Sequence, residues 1–127
     1  MTRPLLLAAL TIALALPAAV DAGPRPAKSK AAAAAAAARV KHGQAFAEQR
    51  CAACHGVTRN SSSPNPESPT FEDIANRPGL TSTTLRQFLR DSHNFPEAMD
   101  FAVERERIRE LADYIVTLRR ADYKPTI

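Results

Sequence analysis

Cys51-Ala52-Ala53-Cys54-His55 is the stretch that decides how this chain folds and what it carries. Two thiols three residues apart, followed at once by an imidazole, form the attachment signature of a c-type haem. At a helix end, residues three apart lie on nearly the same side, so both sulfurs can reach the two vinyl groups of one porphyrin. His55 then comes up beneath the ring as the proximal iron ligand. A lone CxxC also occurs as a redox dithiol or as half of a zinc site. The first belongs in a strand-helix context that this chain lacks. The second needs another ligand pair, and the sequence holds only two cysteines.

Working outward toward the N-terminus, export is the next expectation, because haem is attached to CxxCH chains after they cross a membrane. Met1 and Arg3 supply a positive start, Leu5 to Leu16 an apolar core, and Pro17 a break before small residues up to Ala22. These are the three parts of a secretory signal peptide, assigned to residues 1–22, and they imply a periplasmic protein. The apolar stretch is about a dozen residues, short of the roughly twenty that span a bilayer. In an oxidising compartment the two cysteines would otherwise close a strained disulfide, so thioether capture accounts for their survival there.

Residues 23–38 change character. Gly23, Pro24, Arg25, Pro26, Lys28 and Lys30 lead into the alanines 31–38. Alanine has the best helix propensity, so transient helix is expected of the run. It has no large apolar side chain with which to pack, and short isolated helices are marginal in water. The segment therefore reads as a basic linker. Residues 39–127 hold 13 Lys/Arg against 12 Asp/Glu, so the folded part is nearly neutral and the basic balance belongs largely to this linker. Nucleic acid is not indicated as a partner. Contact with an anionic membrane surface through the basic segment is compatible with the charge.

The remainder, residues 39–123, is one domain of about 85 residues followed by a short tail, 124–127, and at that size a staple is expected. Haem would be that staple. No convincing period-2 strand occurs, and the fold class is all-α. Helices are expected from about Val40 to Ala52, Phe71 to Asn76, Thr83 to Asp91 and Phe101 to Arg120. Thr81 or Ser82 caps the third, which is expected to bury Leu85, Phe88 and Leu89. The last carries Ile108, Leu111, Ala112, Ile115 and Leu118 on one stripe. Its early acids, Glu104 and Glu106, and its terminal Arg119 and Arg120 complement the helix dipole. The run from Arg59 to Pro69, rich in Asn, Ser and Pro, is a loop.

With these residues in place, the domain resembles the class I c-type cytochromes over most of residues 40–120. Gly43 stands eight residues before Cys51 and Ala47 four before it, as in that family's N-terminal helix. Leu111 and Tyr114 stand where the family places an apolar and an aromatic residue on the C-terminal helix. The resemblance implies a small cytochrome c fold whose terminal helices cross at Gly43 around one covalent haem c. It also implies that the Pro69 carbonyl accepts the Nδ1 proton of His55 and that Phe71 packs on the ring, both in the haem pocket. The distal iron ligand in this family is usually methionine sulfur. Met99, apart from Met1 the only methionine, lies just before the last helix, in the family's place for it. His93 is the rival ligand, and a second histidine would lower the potential that methionine raises. His42, on the first helix, is expected to be exposed.

With both axial positions filled, the iron offers no site for substrate. No paired carboxylates, Ser-His-Asp set or phosphate loop stands apart from the haem features. The expected function is therefore a monohaem electron carrier between redox proteins, not an enzyme, acting as a monomer or within a larger redox complex. The alternatives are the electron-transfer subunit of a periplasmic dehydrogenase, or a gas-binding or peroxidatic haem protein with a labile distal ligand.

Overall fold

The alanine run of the sequence is carried on a helix. In the computed structural model, which describes residues 28–91, 97 and 103–125, helix α1 spans Lys28–Arg50. It starts at Lys28 instead of near Val40, because nucleation is the costly step of helix formation and extension is cheap for alanine. The packed half supplies the nucleus, and the alanine run extends from it with its side chains almost all exposed. The signal segment, the linker as far as residue 27, His93, Met99 and Phe101 lie outside the described residues.

Three further α-helices follow among the described residues: α2, Phe71–Ala75; α3, Ser82–Asp91; and α4, Arg105–Thr117. The fold is all-α, with no strand among the described residues. Thr70 caps α2 with a capping box: its hydroxyl accepts from the Asp73 N–H (3.0 Å), and the Asp73 carboxylate accepts from the Thr70 N–H (3.2 Å). Of the two candidates at α3, Thr81 does the capping, its hydroxyl accepting from the Thr84 N–H at 3.1 Å. The Ser82 hydroxyl instead donates to Asp113 on α4 at 2.7 Å.

Helix α4 is the centre of the packing. Ile108, Leu111, Ala112, Ile115 and Leu118 are all buried, as the stripe requires, and Tyr114 joins them. Helices α1, α2 and α3 each pack on it. The contact with α1 depends on Gly43. A Cβ there would stand 2.0 Å from the Glu110 carbonyl oxygen and 2.9 Å from the Tyr114 Cβ. No side chain fits. One turn on, Ala47 is fully buried.

Two expectations are corrected. Phe88 is not in the core but 49% exposed, while Leu85 and Leu89 are buried. At about 100° per residue, Phe88 lies about 100° round the helix from Leu89, so the face that meets α4 leaves it outside. The last helix is also shorter than expected: Val103 and Glu104 are not helical, and α4 ends at Thr117. Leu118 and Arg119 N–H groups bond back to Ile115 and Val116 carbonyls (3.0 and 3.3 Å), tightening the final turn. Arg119 and Arg120 thus fall beyond the helix. Their guanidinium groups go to partners elsewhere in the fold.

Candidate haem-binding site

The CxxCH stretch is built as a continuation of α1. The Cys51 and Ala52 N–H groups both bond to the Ala47 carbonyl, at 2.9 and 3.1 Å. Cys54 and His55 N–H groups then both bond to the Cys51 carbonyl, at 3.1 and 2.9 Å. The two thiols and the imidazole therefore sit on consecutive tight turns, anchored through Ala47 to the helix crossing. Cys51 is half-buried and Cys54 exposed, and no disulfide joins them. Burial pushes the Cys51 thiol up to about 11, Arg50 opposing and Cys54 adding to the shift.

His55 is oriented from the far side of the loop. Its Nδ1 lies 2.7 Å from the Pro69 carbonyl oxygen. A carbonyl can only accept, so Nδ1 carries the proton and Nε2 keeps its lone pair free for a metal. The buried Phe71 ring packs against the imidazole, centroids 5.4 Å apart and planes tilted by 43°. The structure thus brings Cys51, Cys54, His55, Pro69 and Phe71 into one neighbourhood. Met99 and His93, the two distal-ligand candidates, lie outside the described residues.

The residues fit a covalently held haem. Two cysteines stand on adjacent turns, and a histidine has its rear nitrogen bound to a carbonyl and its front nitrogen free. His42 is exposed as expected, 3.1 Å from Glu110 across the α1–α4 contact.

The loop between the motif and α2 is fastened tightly. The Gly56 N–H donates to the Ser63 hydroxyl at 2.9 Å, and its carbonyl accepts from the Phe71 N–H at 2.8 Å. The Tyr114 hydroxyl, buried in the core, donates to the Val57 carbonyl at 2.8 Å. Sequence reasoning missed one group here. Glu72 is 5% exposed, accepting from the Asn60 N–H at 2.9 Å and standing 3.3 Å from Arg120. An acid in the first turn of a helix looks like an ordinary dipole partner, and nothing local marks it as buried. Asp73, next to it, receives the Tyr123 hydroxyl. Burial opposes its charge, but the hydrogen bonds from Tyr123 and Thr70 outweigh that and hold its carboxyl below the usual range.

Comparison with known proteins agrees with this geometry. The cytochrome c family model matches residues 40–119. Cytochrome c-552 of Bradyrhizobium diazoefficiens is 35% identical over 78 residues, which cover 61% of this chain and 73% of that protein. No solved structure matches the chain significantly.

Proposed function

We propose, because this chain belongs to the cytochrome c family, that it is a periplasmic monohaem carrier of single electrons with His55 and Met99 as its axial ligands. As a member of that family the chain is a haem electron-transfer protein that binds haem c covalently and works with redox partners. Bound, the haem supplies a one-electron ferric/ferrous couple.

The chain's own residues do the rest. Cys51 and Cys54 would hold the group as thioethers on the turns after α1. His55 would ligate through Nε2, with the Pro69 carbonyl fixing its tautomer and ring orientation and making it a stronger donor. Phe71 closes the side of the imidazole against water. Met99 is a soft, neutral ligand suited to both oxidation states, which keeps rearrangement on each transfer small. With His55 and Met99 both holding the iron, no ligand site would be left for a substrate, and the protein would act as a carrier and not an enzyme. Residues 1–22 act as the export signal. No helix among the described residues is long and apolar enough to cross a membrane.

The observation that carries this reading is the 2.7 Å contact from His55 Nδ1 to the Pro69 carbonyl, immediately after the two cysteines. Met99→Ala tests the distal assignment. It should leave haem covalently bound, abolish the ferric near-infrared charge-transfer band of methionine sulfur, lower the potential and admit carbon monoxide. If His93→Ala turns high-spin while Met99→Ala stays low-spin, the carrier is bis-histidine and of lower potential.

A further inference from the structure

We propose that Glu72 and Arg120 are positioning residues for His55: they lock the loop after the haem motif to α2, and so set the hydrogen bond from His55 to Pro69. This rests on His55 being the proximal ligand. Glu72 is the one buried charged side chain among the described residues. A carboxylate is costly to bury unless it is paired and hydrogen-bonded, and its partners here are specific. One oxygen accepts the backbone N–H of Asn60 at 2.9 Å; the other lies 3.3 Å from Arg120 Nη1, an ionic contact outside hydrogen-bond geometry. The same Nη1 donates to the Asn60 side-chain oxygen at 3.1 Å. Asn60 itself is held in the left-handed region, φ 56°. Its N–H direction is therefore set by a tight turn that few residues adopt.

The two segments this knot joins are the two that carry the ends of the His55–Pro69 bond. The loop leaves His55 directly, at Gly56; α2 begins two residues after Pro69. Between these segments, the backbone bond from the Phe71 N–H to the Gly56 carbonyl gives one point of attachment, at 2.8 Å. Glu72 gives a second, and two points fix an orientation where one leaves a pivot. Arg120, arriving from beyond α4, ties that second point to the core; its backbone N–H also donates to the Asn76 side chain at 3.0 Å. Loosening the knot lets the Pro69 carbonyl swing from Nδ1. A weaker acceptor there makes His55 a poorer donor, which stabilises ferric iron less and raises the potential.

The experiment uses the haem-loaded protein and reads two quantities a merely structural role would not move together: the reduction potential, and the solvent exchange of the His55 Nδ1 proton by NMR. Glu72→Ala should raise the potential and speed that exchange about tenfold, the loss of one hydrogen bond's protection. Glu72→Gln, which keeps an acceptor for the Asn60 N–H, should recover most of both. Arg120→Ala should move both in the same direction as Glu72→Ala. Arg39→Ala breaks the distant pair with Asp113 (3.1 Å) and should change neither. Unchanged potential and exchange in Glu72→Ala, or an equal change in Arg39→Ala, would overturn the inference. If Glu72→Ala yields no haem protein, Arg120→Ala decides: a shift in both quantities supports the knot and no shift overturns it. His55→Ala separates the underlying reading. Should that variant keep a low-spin spectrum at the original potential, His55 is not the ligand, whatever Glu72 does.

Discussion

The two halves of α1 are one helix held by different physics. Residues 28–38 project with side chains almost all exposed, while the half from Arg39 to Arg50 is clamped on α4 through Gly43 and Ala47. The first half is helical because alanine loses little on becoming so and a nucleus already exists next door. The second is helical because α4 leaves its backbone one place to be. Local propensity extends structure; packing decides where it is anchored, and the haem motif hangs from the anchored end.

The largest effect that would break the comparison is loss of haem. A Cys51→Ala, Cys54→Ala chain must meet an ordering cost of order 100 kcal/mol for a domain of this size with its protein core alone. Cooperative melting should disappear by circular dichroism, leaving the weak, non-cooperative helicity that alanine sustains unaided. Native-level cooperative melting would show instead that the core suffices.

Next in size is Gly43→Val. Its Cβ would be driven into the Glu110 carbonyl oxygen at 2.0 Å, and backbone cannot give way as a flexible side chain can. A destabilisation of about 3 kcal/mol or more is expected by denaturant titration of the haem protein, at the upper end of overpacking costs.

A subtler probe of the same contact is pH. Burial opposes ionisation of Glu110, but hydrogen bonds from His42 and Arg107 outweigh it and lower its carboxyl below the usual 4.5. A depressed folded-state value contributes stability that is present above the unfolded value and is lost as pH falls through the folded one. Glu110→Gln should therefore be less stable than the parent at neutral pH. The gap should narrow as pH falls below 4.5, measured as melting temperature against pH.

The smallest effect sharpens the other side. Ala34→Gly should cost about 1 kcal/mol of local helix stability, visible as faster amide exchange in residues 30–37. The melting temperature of the domain should not change, because no core contact is touched.

Much of this was readable in the chain. The CxxCH spacing, the apolar stripe of α4 and the position of Gly43 are regularities of period or interval, and period is a property of sequence. The helix of the alanine run is not legible for a physical reason: a segment judged alone must nucleate its own helix, whereas this one extends a helix nucleated by packing. The exposure of Phe88 is not legible either, because a face cannot be divided into contact and rim until its partner's direction is known.

Legible along the chain are the chemistry at one point and the helical class around it: two thiols, an imidazole, and stripes of period 3.6 that need burial. Only the tertiary structure decided which long-range partners complete the site. The resemblance already pairs Pro69 with His55, but nothing along the chain shows that Arg120 reaches Glu72 and Asn60 across most of the domain. Arg119, read as a dipole partner of its own helix, donates instead to the Ala75 and Leu80 carbonyls at 2.9 and 2.6 Å. Such contacts bring together groups with no shared interval along the chain. Their energy depends on distance and burial, which exist only once the helices have packed.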